Sequence, residues 1–439
     1  MGGAEFIAAV RGGDATAIER LIEAGADPDT VAEDGLPVLC AAIAAYDAEL
    51  AEALVQGGAD PDRPLPDGTT PLLRAIESGS PAVFGSVLGK EPRLRLSEPE
   101  RERCLAAARS RYERCLAASG ERVRIPDGDY RQVDELTLDG RTVRAGHGAI
   151  LTELEWAFRI LTPVDELAAR AVVHPDWEHV DWWAAQWVLT QRRSKETWSA
   201  VAALRRHPDA DHRRFAVDVL RCYSLFQGSG MNSYEKETNE LLAAWATEET
   251  DASVLADVLE AWAGEYDHPA QAAVGLRYVD HPHPAVRRAV ADCLHESPLG
   301  PRTRGALLTL AGDEETEVRA AACRALGSFH DGSPEVGQAL LALARDPDAD
   351  VRGVAAEVLA EGDDRDPAVA DALVALLDEE TQLVRVIAAY GLSRRDDPRT
   401  LAAIERVGPQ EPGWGPDHRW NGLRDWQWKR ENGSAAAER

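Results

Sequence analysis

The sequence predicts an all-α protein that consists of two tandem helical-repeat solenoids with a small β-hairpin insertion between them. Three observations predict this fold class. The N-terminal part repeats at one fixed interval, the C-terminal half repeats at a nearly constant interval of its own, and a short stretch of alternating apolar residues separates the two arrays. A fixed period of roughly 20 to 50 residues indicates stacked units, each of which buries its apolar face only against its neighbours.

Two independent sequence markers carry the N-terminal period. The segment EAGADPD at Glu23–Asp29 recurs as QGGADPD at Gln56–Asp62, and EDGLPVLCAAI at Glu33–Ile43 recurs as PDGTTPLLRAI at Pro66–Ile76, so both markers shift by the same interval. These residues resemble the ankyrin repeat, with its DG-x-TPL turn before a first helix and its GAD-type loop after a second helix. The resemblance implies an ankyrin block over residues 1–92.

The turn residues of this block suit helix pairs joined by tight loops. We expect Gly25 and Gly58 to end second helices with a positive φ, which glycine adopts at little cost. Thr70 and Pro71 are predicted to begin a helix, because threonine caps it and proline needs no hydrogen-bond partner there. Residues 3–90 carry 5 Lys and Arg against 15 Asp and Glu, so their loops could dock a basic partner or simply be solvated.

The middle segment, residues 93–162, is predicted to contain a connecting helix and a β-hairpin. The helix follows Ser97, which with Glu100 forms the pattern of a capping box. The hairpin is indicated by alternating apolar residues on both sides of Asp139-Gly140, a dipeptide typical of two-residue turns. The glycines around His147 form too short a motif to be a phosphate-binding loop.

A second period defines the C-terminal array. A Val-Arg pair recurs at Val286, Val318, Val351 and Val384, so the interval between successive pairs is nearly constant. This register resembles the short HEAT-like repeat, sometimes named after phycobilin lyases, and implies antiparallel helix pairs.

The same register extends towards the N-terminus through Val254, His212 and His179. We therefore assign residues 163–407 to about seven HEAT-like units. Residues 408–439 are rich in tryptophan and are predicted to be either a cap on the last repeat or a partner-binding tail.

Histidines recur in the loops of this array. His174, His207 and His281 each lie five residues before the register position, where later units carry Asp313 and Asp346. A position shared by His and Asp is typical of a turn. Because only His281 and His283 form a close pair, we expect no metal ion, and nothing indicates another cofactor.

The tryptophans of the first units suggest a candidate binding face. Trp187 and Trp262 fall in the column that is leucine elsewhere, so we expect both in the core. Trp182 and Trp183 fall in columns that are mostly small or aliphatic elsewhere, and are predicted to pack against the β insertion or Trp156, or to line a pocket. The candidate pocket or binding face comprises His179, Trp182, Trp183 and Gln186, which share one broad helix face.

An arginine follows the register position in five units, at Arg213, Arg287, Arg319, Arg352 and Arg385. Stacked units would align these side chains. We predict a structural ladder in which they pair with Asp350 and neighbouring loop carboxylates, and the alternative is a groove that binds anions.

Charge and composition indicate which kinds of partner and which cellular compartment to expect. The formal net charge is −28, which disfavours nucleic acid and anionic membrane, because both require a basic surface. No apolar run is long enough to cross a membrane. No signal peptide is recognisable and the six cysteines are scattered, which favours a cytoplasmic, reduced protein, and the scarcity of lysine suggests a bacterial source.

No catalytic motif was found, so the expected function is that of a non-catalytic protein-binding adaptor or scaffold. The repeat resemblance implies an unidentified protein partner bound on extended surfaces. Two enzyme classes remain alternatives. HEAT-like alkylpurine DNA glycosylases use Trp and Asp on a basic concave face, which Asp181, Trp182 and Trp183 could imitate. Bilin lyases share the short repeat, although nothing in the sequence marks a bilin site.

Overall fold

The computed structural model describes residues 2–128, 131–138, 140–225, 234–265, 268–295, 300–328, 333–411 and 417–437. Within the chain, two compact units are Met1–Tyr223 and Ser224–Arg439. None of the described helices combines the length and apolar character that a membrane span requires.

The first unit begins with three helix pairs at the predicted spacing. Their helices are α1 (Gly2–Gly12), α2 (Ala15–Glu23), α3 (Val38–Ala44), α4 (Ala48–Gln56), α5 (Pro71–Ser78) and α6 (Pro81–Leu88).

Several of these helices have a side-chain cap at the N-terminus. Asp14, Asp47, Thr70 and Ser80 each accept a hydrogen bond from a backbone N–H of the first turn. These caps satisfy donors that would otherwise lack partners. The predicted helix start at Thr70 is therefore confirmed.

The second helices of the first two pairs end as the sequence predicts. Gly25 and Gly58 have φ of 94° and 103°, which confirms the expected left-handed backbone. Each pair packs on the next through fully buried apolar side chains such as Ile18, Leu54 and Phe84. The ankyrin-type helix pairs are thus held together by neighbour-to-neighbour burial.

The middle segment combines helices with a three-stranded sheet. Its helices are α7 (Pro92–Arg95), α8 (Glu98–Ala117) and α9 (His147–Ala157), and its strands are β1 (Arg122–Pro126), β2 (Gln132–Leu138) and β3 (Arg141–Arg144).

The sheet has the antiparallel order β1-β2-β3. The predicted hairpin corresponds to β2 and β3, in the register Leu136 opposite Val143, while its turn residue Asp139 lies outside the described residues. Strand β1 was not predicted, and it pairs with β2 so that Arg124 lies opposite Asp134.

A buried carboxylate links the sheet segment to the ankyrin block through hydrogen bonds and an ion pair. Asp127, which follows β1, accepts hydrogen bonds from the Ser80 hydroxyl and from the Ala82 N–H at the start of α6. Arg144 of β3 forms an ion pair with the same carboxylate. Because Asp127 is only 3% exposed, losing these donors would leave a buried charge unpaired.

Four further α-helices complete the first unit. They are α10 (Val164–Ala171), α11 (Val180–Arg192), α12 (Lys195–Ala203) and α13 (Ala210–Leu225), and a short 3₁₀ turn, Leu204–Arg206, follows α12. Helix α11 packs on α9 and α10, so these helices lie directly against the middle segment.

The second unit contains the remaining helices of the described chain. They are α14 (Glu235–Glu248), α15 (Ala252–Glu265), α16 (Gln271–Gly275), α17 (Pro284–His295), α18 (Pro301–Leu310), α19 (Thr316–Gly327), α20 (Pro334–Leu343), α21 (Ala349–Glu361), α22 (Pro367–Leu376), α23 (Gln382–Arg394), α24 (Thr400–Val407) and α25 (His418–Ala437).

The helices that carry the Val-Arg register form one layer, in which α15, α17, α19, α21 and α23 each pack on the next. The register valines Val254, Val286, Val318 and Val351 are fully buried. Burying such a side chain stabilises the fold by about 1.5–3 kcal/mol. The prediction of an all-α double repeat protein with a small β insertion is therefore confirmed.

The C-terminal helix α25 packs on the last register helix. Leu423 is 1% exposed and joins the core of this unit, and Gly422 lies close to the ring of Tyr390. The segment therefore shields the end of the array, as a cap would, while Trp428 remains exposed. Trp414 lies outside the described residues.

Candidate functional site

The candidate face lies on α11, which packs on α9 and α10. His179 is the N-cap of this helix, and its Nδ1 accepts a hydrogen bond of 3.2 Å from the Asp181 N–H. The imidazole is fully buried. Burial lowers its pKa to about 4, so the ring is neutral at physiological pH.

Trp182 and Gln186 point from α11 towards α13 and share one acceptor. The Trp182 Nε1 donates to the Asp218 carboxylate at 2.8 Å, and the Gln186 Nε2 donates to the same oxygen at 2.5 Å. The Trp182 ring also meets Phe215 edge-on, with centroids 5.0 Å apart. Trp182 is only 4% exposed, so it packs between α11 and α13. Its hydrogen bond and its ring contact are with α13, whereas the prediction named the β insertion or Trp156.

Trp183 and Trp187 form a stacked pair one helical turn apart. Their rings are nearly parallel, at 6°, with centroids 5.7 Å apart. The guanidinium carbon of Arg131, just before β2, lies 4.3 Å from the centroid of Trp183. Trp183 therefore does contact the segment that carries the β insertion.

The prediction that Trp187 belongs to the core column is wrong, because this side chain is 40% exposed and stacks on Trp183. The matching prediction for Trp262 is confirmed, since that residue is fully buried.

A cluster of histidines and carboxylates lies at the start of α11. His174 Nε2 is 3.1 Å from Asp134 Oδ2, and His174 Nδ1 is 3.3 Å from Asp181 Oδ2. The His174 ring stacks on His179 with centroids 3.9 Å apart. Sequence reasoning missed this cluster, because Asp134 comes from β2 and no spacing connects it with the loop before α11.

The carboxylate of Asp134 is held by cations as well as by histidine. Arg124 Nε donates to its Oδ1 at 2.8 Å. Burial alone would raise the pKa of Asp134, but the hydrogen bond from Arg124 and the charges of His174 and Arg124 outweigh burial and lower it. Asp134 is therefore ionised at neutral pH.

The three middle members of the predicted arginine ladder share one geometry. Each guanidinium binds a carboxylate of the next loop through two hydrogen bonds. The pairs are Arg287 with Asp313 at 2.7 and 2.8 Å, Arg319 with Asp346 at 2.8 and 2.9 Å, and Arg352 with Glu379 at 2.6 and 3.0 Å.

All five arginines of the set also bind backbone carbonyls of the loop before their own helix. Asp313, Asp346 and Glu379 are therefore the acceptors of these three pairs, and they fit the neighbouring loop carboxylates of the prediction. Asp313 and Asp346 were also predicted as turn residues. Asp350, which the prediction named, lies in the first turn of α21.

The residues that could imitate a DNA glycosylase do not share an open surface. Asp181 is 1% exposed and accepts a hydrogen bond from the Ala149 N–H at 2.7 Å. Trp182 is buried against α13, as described above. Only Trp183 of this trio is partly exposed, so the arrangement does not present Asp and Trp together to a large ligand.

Comparison with known families identifies both repeat types. A model described as ankyrin repeats (3 copies) matches residues 6–94. A model described as HEAT repeats matches residues 273–360 and 337–413. No curated protein is similar enough to the chain to match it.

Solved structures with some similarity include the Escherichia coli protein YibA, at 17% identity and a TM-score of 0.41, covering 56% of this chain and 92% of that one. Human deoxyhypusine hydroxylase in complex with glycerol matches at 18% identity and a TM-score of 0.25, covering 65% and 99%. An engineered protein matches at 17% identity and a TM-score of 0.36, covering 93% and 95%. These scores are too low to transfer any property.

Ankyrin and HEAT arrays use extended surfaces to bind other proteins. The family matches and the two sequence periods agree on the order of the repeats. The chain therefore carries ankyrin repeats over residues 6–94, followed by HEAT repeats over residues 273–413.

Proposed function

We propose that the protein is a non-catalytic adaptor or scaffold that binds another protein through its ankyrin and HEAT surfaces. The observation that carries the proposal is the stacked pair of Trp183 and Trp187 on α11. Tryptophan is enriched among the few residues that dominate the affinity of protein interfaces. An exposed indole on a rigid helix offers a large apolar contact at a small entropic cost.

The local packing supports this role. Trp183 contacts both Arg131 and Trp187, so the pair is already ordered before a partner arrives. Binding then costs less conformational entropy than it would on a loop. The 40% exposure of Trp187 leaves indole surface for a partner to cover.

Exposed carboxylates in the loops of the ankyrin block support a basic protein partner. Asp27 and Asp34 are exposed in the loop after α2, and Asp67 is exposed in the loop after α4, within a segment that has three times as many acidic as basic residues. Loops of this charge attract a basic protein surface and steer its approach. The overall charge of −28 opposes nucleic-acid binding.

We also propose a cytoplasmic location. Cys40, Cys104, Cys115 and Cys323 are buried thiols that form no disulfide. Buried reduced thiols fit a reducing compartment.

The test is affinity capture followed by mass spectrometry, with the full-length chain as bait in a lysate of its source organism. The comparison is between the wild type and the Trp183→Ala/Trp187→Ala variant. Trp177→Ala is the matched control, because this tryptophan is 61% exposed and precedes the helix. We expect the wild type and the control to retain the same protein, and the double variant to lose it.

The capture experiment can contradict the proposal in two ways. Retention of no protein above background by the wild type would rule out a stable adaptor complex. Equal retention by the double variant would remove the tryptophan pair from the interface. Elution by moderate salt would support a charged contact, since screening weakens exposed ion pairs.

A further inference from the structure

The cluster at the start of α11 contains the donor set of a metal site. Asp134, His174 and His179 each offer one potential ligand atom, and these atoms lie within 4.8 Å of one another. Two imidazoles and one carboxylate suit divalent first-row metals, which bind nitrogen at about 2.0–2.1 Å and carboxylate oxygen at about 2.0–2.2 Å. Small rotations of the stacked rings would bring the three donors to one ion.

An unsatisfied polar atom indicates that this cluster lacks a component. His179 Nε2 is buried and has no hydrogen-bond partner, and the His179 side chain is 0% exposed. His174 Nδ1 and Asp181 Oδ2, by contrast, lie 3.3 Å apart and can satisfy each other. Buried polar groups are rarely left without partners, so His179 Nε2 points to a ligand.

Asp181 is placed to orient both imidazoles. Its Oδ1 is held by the Ala149 N–H, and its Oδ2 lies 3.3 Å from His174 Nδ1 and 3.9 Å from His179 Nδ1. Metal-bound histidines usually donate their second N–H to a carboxylate, which fixes the tautomer. With protons on both Nδ1 atoms, Asp181 would accept them, and both Nε2 lone pairs would be free for an ion. For His179 this means replacing the present hydrogen bond from the Asp181 N–H.

The next repeat provides an internal comparison. His207, Asp209 and His212 carry the same H-P-D-x-x-H motif one repeat further along the chain, and their rings stack at the same 3.9 Å. There, however, His207 Nδ1 accepts from the Asp209 N–H at 3.2 Å, and His212 Nδ1 lies 2.6 Å from Asp209 Oδ2.

His268 and His281 likewise accept a backbone N–H two residues ahead. His174 departs from this turn role, because the Asp176 N–H bonds to its carbonyl oxygen instead. Its imidazole is therefore directed into the cluster.

The surrounding charges permit a cation. Arg124 occupies Asp134 Oδ1 and also pairs with Asp176, which leaves Asp134 Oδ2 for an ion, although Arg122 is 3.6 Å from that oxygen. His174 is the most exposed of the three ligands, at 12% of its side chain. An ion and a bound water would therefore approach from the His174 side.

We infer that Asp134, His174 and His179 bind one divalent transition-metal ion of the Zn²⁺ class, with Asp181 as the orienting carboxylate. The ion joins β2 to the start of α11 and so fastens the β sheet to the first repeat. This site is independent of the proposed adaptor function.

The test uses the full-length chain without a polyhistidine tag, stripped with EDTA and titrated with ZnCl₂ by isothermal calorimetry. We expect one equivalent to bind. His174→Gln and Asp134→Asn each should weaken binding at least 100-fold, and Asp181→Asn should weaken it 10- to 100-fold. The matched control, His207→Gln/His212→Gln, should bind as the wild type does. Co²⁺ should give the visible bands of a low-coordinate site in the wild type and the control alone.

Circular dichroism verifies that each variant is folded, and a metal-dependent rise in Tm gives a second readout. Absence of Zn²⁺ and Co²⁺ binding by the wild type overturns the inference. Wild-type affinity in both His174→Gln and Asp134→Asn overturns it too, as does loss of the ion in the control variant.

Discussion

Arg319 donates two hydrogen bonds from its guanidinium to the carboxylate of Asp346, one repeat further along the chain. The same side chain donates to the carbonyl oxygens of Asp313 and Glu314 in the loop before its own helix. One residue therefore links two successive loops of the array. Because neither side chain is more than 13% exposed, the pair is shielded more than an ordinary surface ion pair.

We predict that Arg319→Ala lowers the free energy of unfolding by about 2–3 kcal/mol, because Asp346 is left with its charge buried and unpaired. Arg345→Ala is the control, since that residue is exposed and makes one long bond of 3.5 Å to a carbonyl. It should change stability by less than about 0.5 kcal/mol. Urea denaturation measures both changes in the free energy of unfolding. Equal changes in the two variants would show that the Arg319–Asp346 pair does not stabilise the fold.

His147 should make stability depend on pH. Burial lowers its pKa from 6.5 to about 4, so the unfolded chain takes up a proton before the folded chain does. The neutral histidine's contribution is therefore complete above pH 6.5 and is lost as the pH falls towards 4. The loss is about 3 kcal/mol at most.

The His147→Gln variant tests this contribution. We expect the stability of the variant to fall less steeply than that of the wild type between pH 6.5 and 4. Burial also lowers the pKa of His179 to about 4, and ion pairing lowers the pKa of carboxylates such as Asp313 and Asp346, so part of the dependence should remain in the variant. Denaturation midpoints at a series of pH values give the slopes, and identical slopes would contradict the assignment to His147.

Trp182 should matter for stability and Trp187 should not. Trp182→Phe removes the hydrogen bond to Asp218 and part of the buried ring, so we expect a loss of about 1–2 kcal/mol. Trp187→Phe keeps an aromatic ring at a site that is 40% exposed, and its effect should stay below about 0.5 kcal/mol. Thermal unfolding of both variants measures these losses. A larger loss in Trp187→Phe than in Trp182→Phe would contradict the prediction.

Gly79 should not tolerate a side chain. Its φ is 74°, and a methyl group there would collide with the Arg144 carbonyl, where the β3 segment meets the ankyrin block. We predict that Gly79→Ala costs about 3 kcal/mol or more. Gly25→Ala has the same backbone strain but open space around it, so its cost should be about 1 kcal/mol. Similar losses in the two variants would exclude a steric effect at Gly79.

The repeat boundaries could be predicted because their signals are local. The turn glycines, Thr70-Pro71 and the register valines determine where each helix begins, ends and turns its apolar side. These preferences depend on near neighbours in the chain. Strand β1 was not predicted, because its pairing with β2 depends on cross-strand hydrogen bonds along Arg122–Pro126.

The candidate face on α11 shows where the repeat register fails. Leu220, in the same column as Trp187, is fully buried, whereas Trp187 is 40% exposed. A column predicts burial only where every unit has equivalent neighbours, and terminal units of a repeat array do not. Asp218 as the shared acceptor of Trp182 and Gln186 depends likewise on how α11 faces α13.

The sequence by itself determined the two periods, the helical repeats and the hairpin, because a repeated pattern of apolar and turn residues prescribes the same local fold in each unit. Only the tertiary structure decided which side chains from different elements meet. Asp134 reaches His174 and His179 because β2 pairs with β1 and lies beside the start of α11, where Gln132 of β2 bonds to the Glu178 carbonyl. Contacts between such distant segments depend on packing geometry, which no periodicity in the chain records.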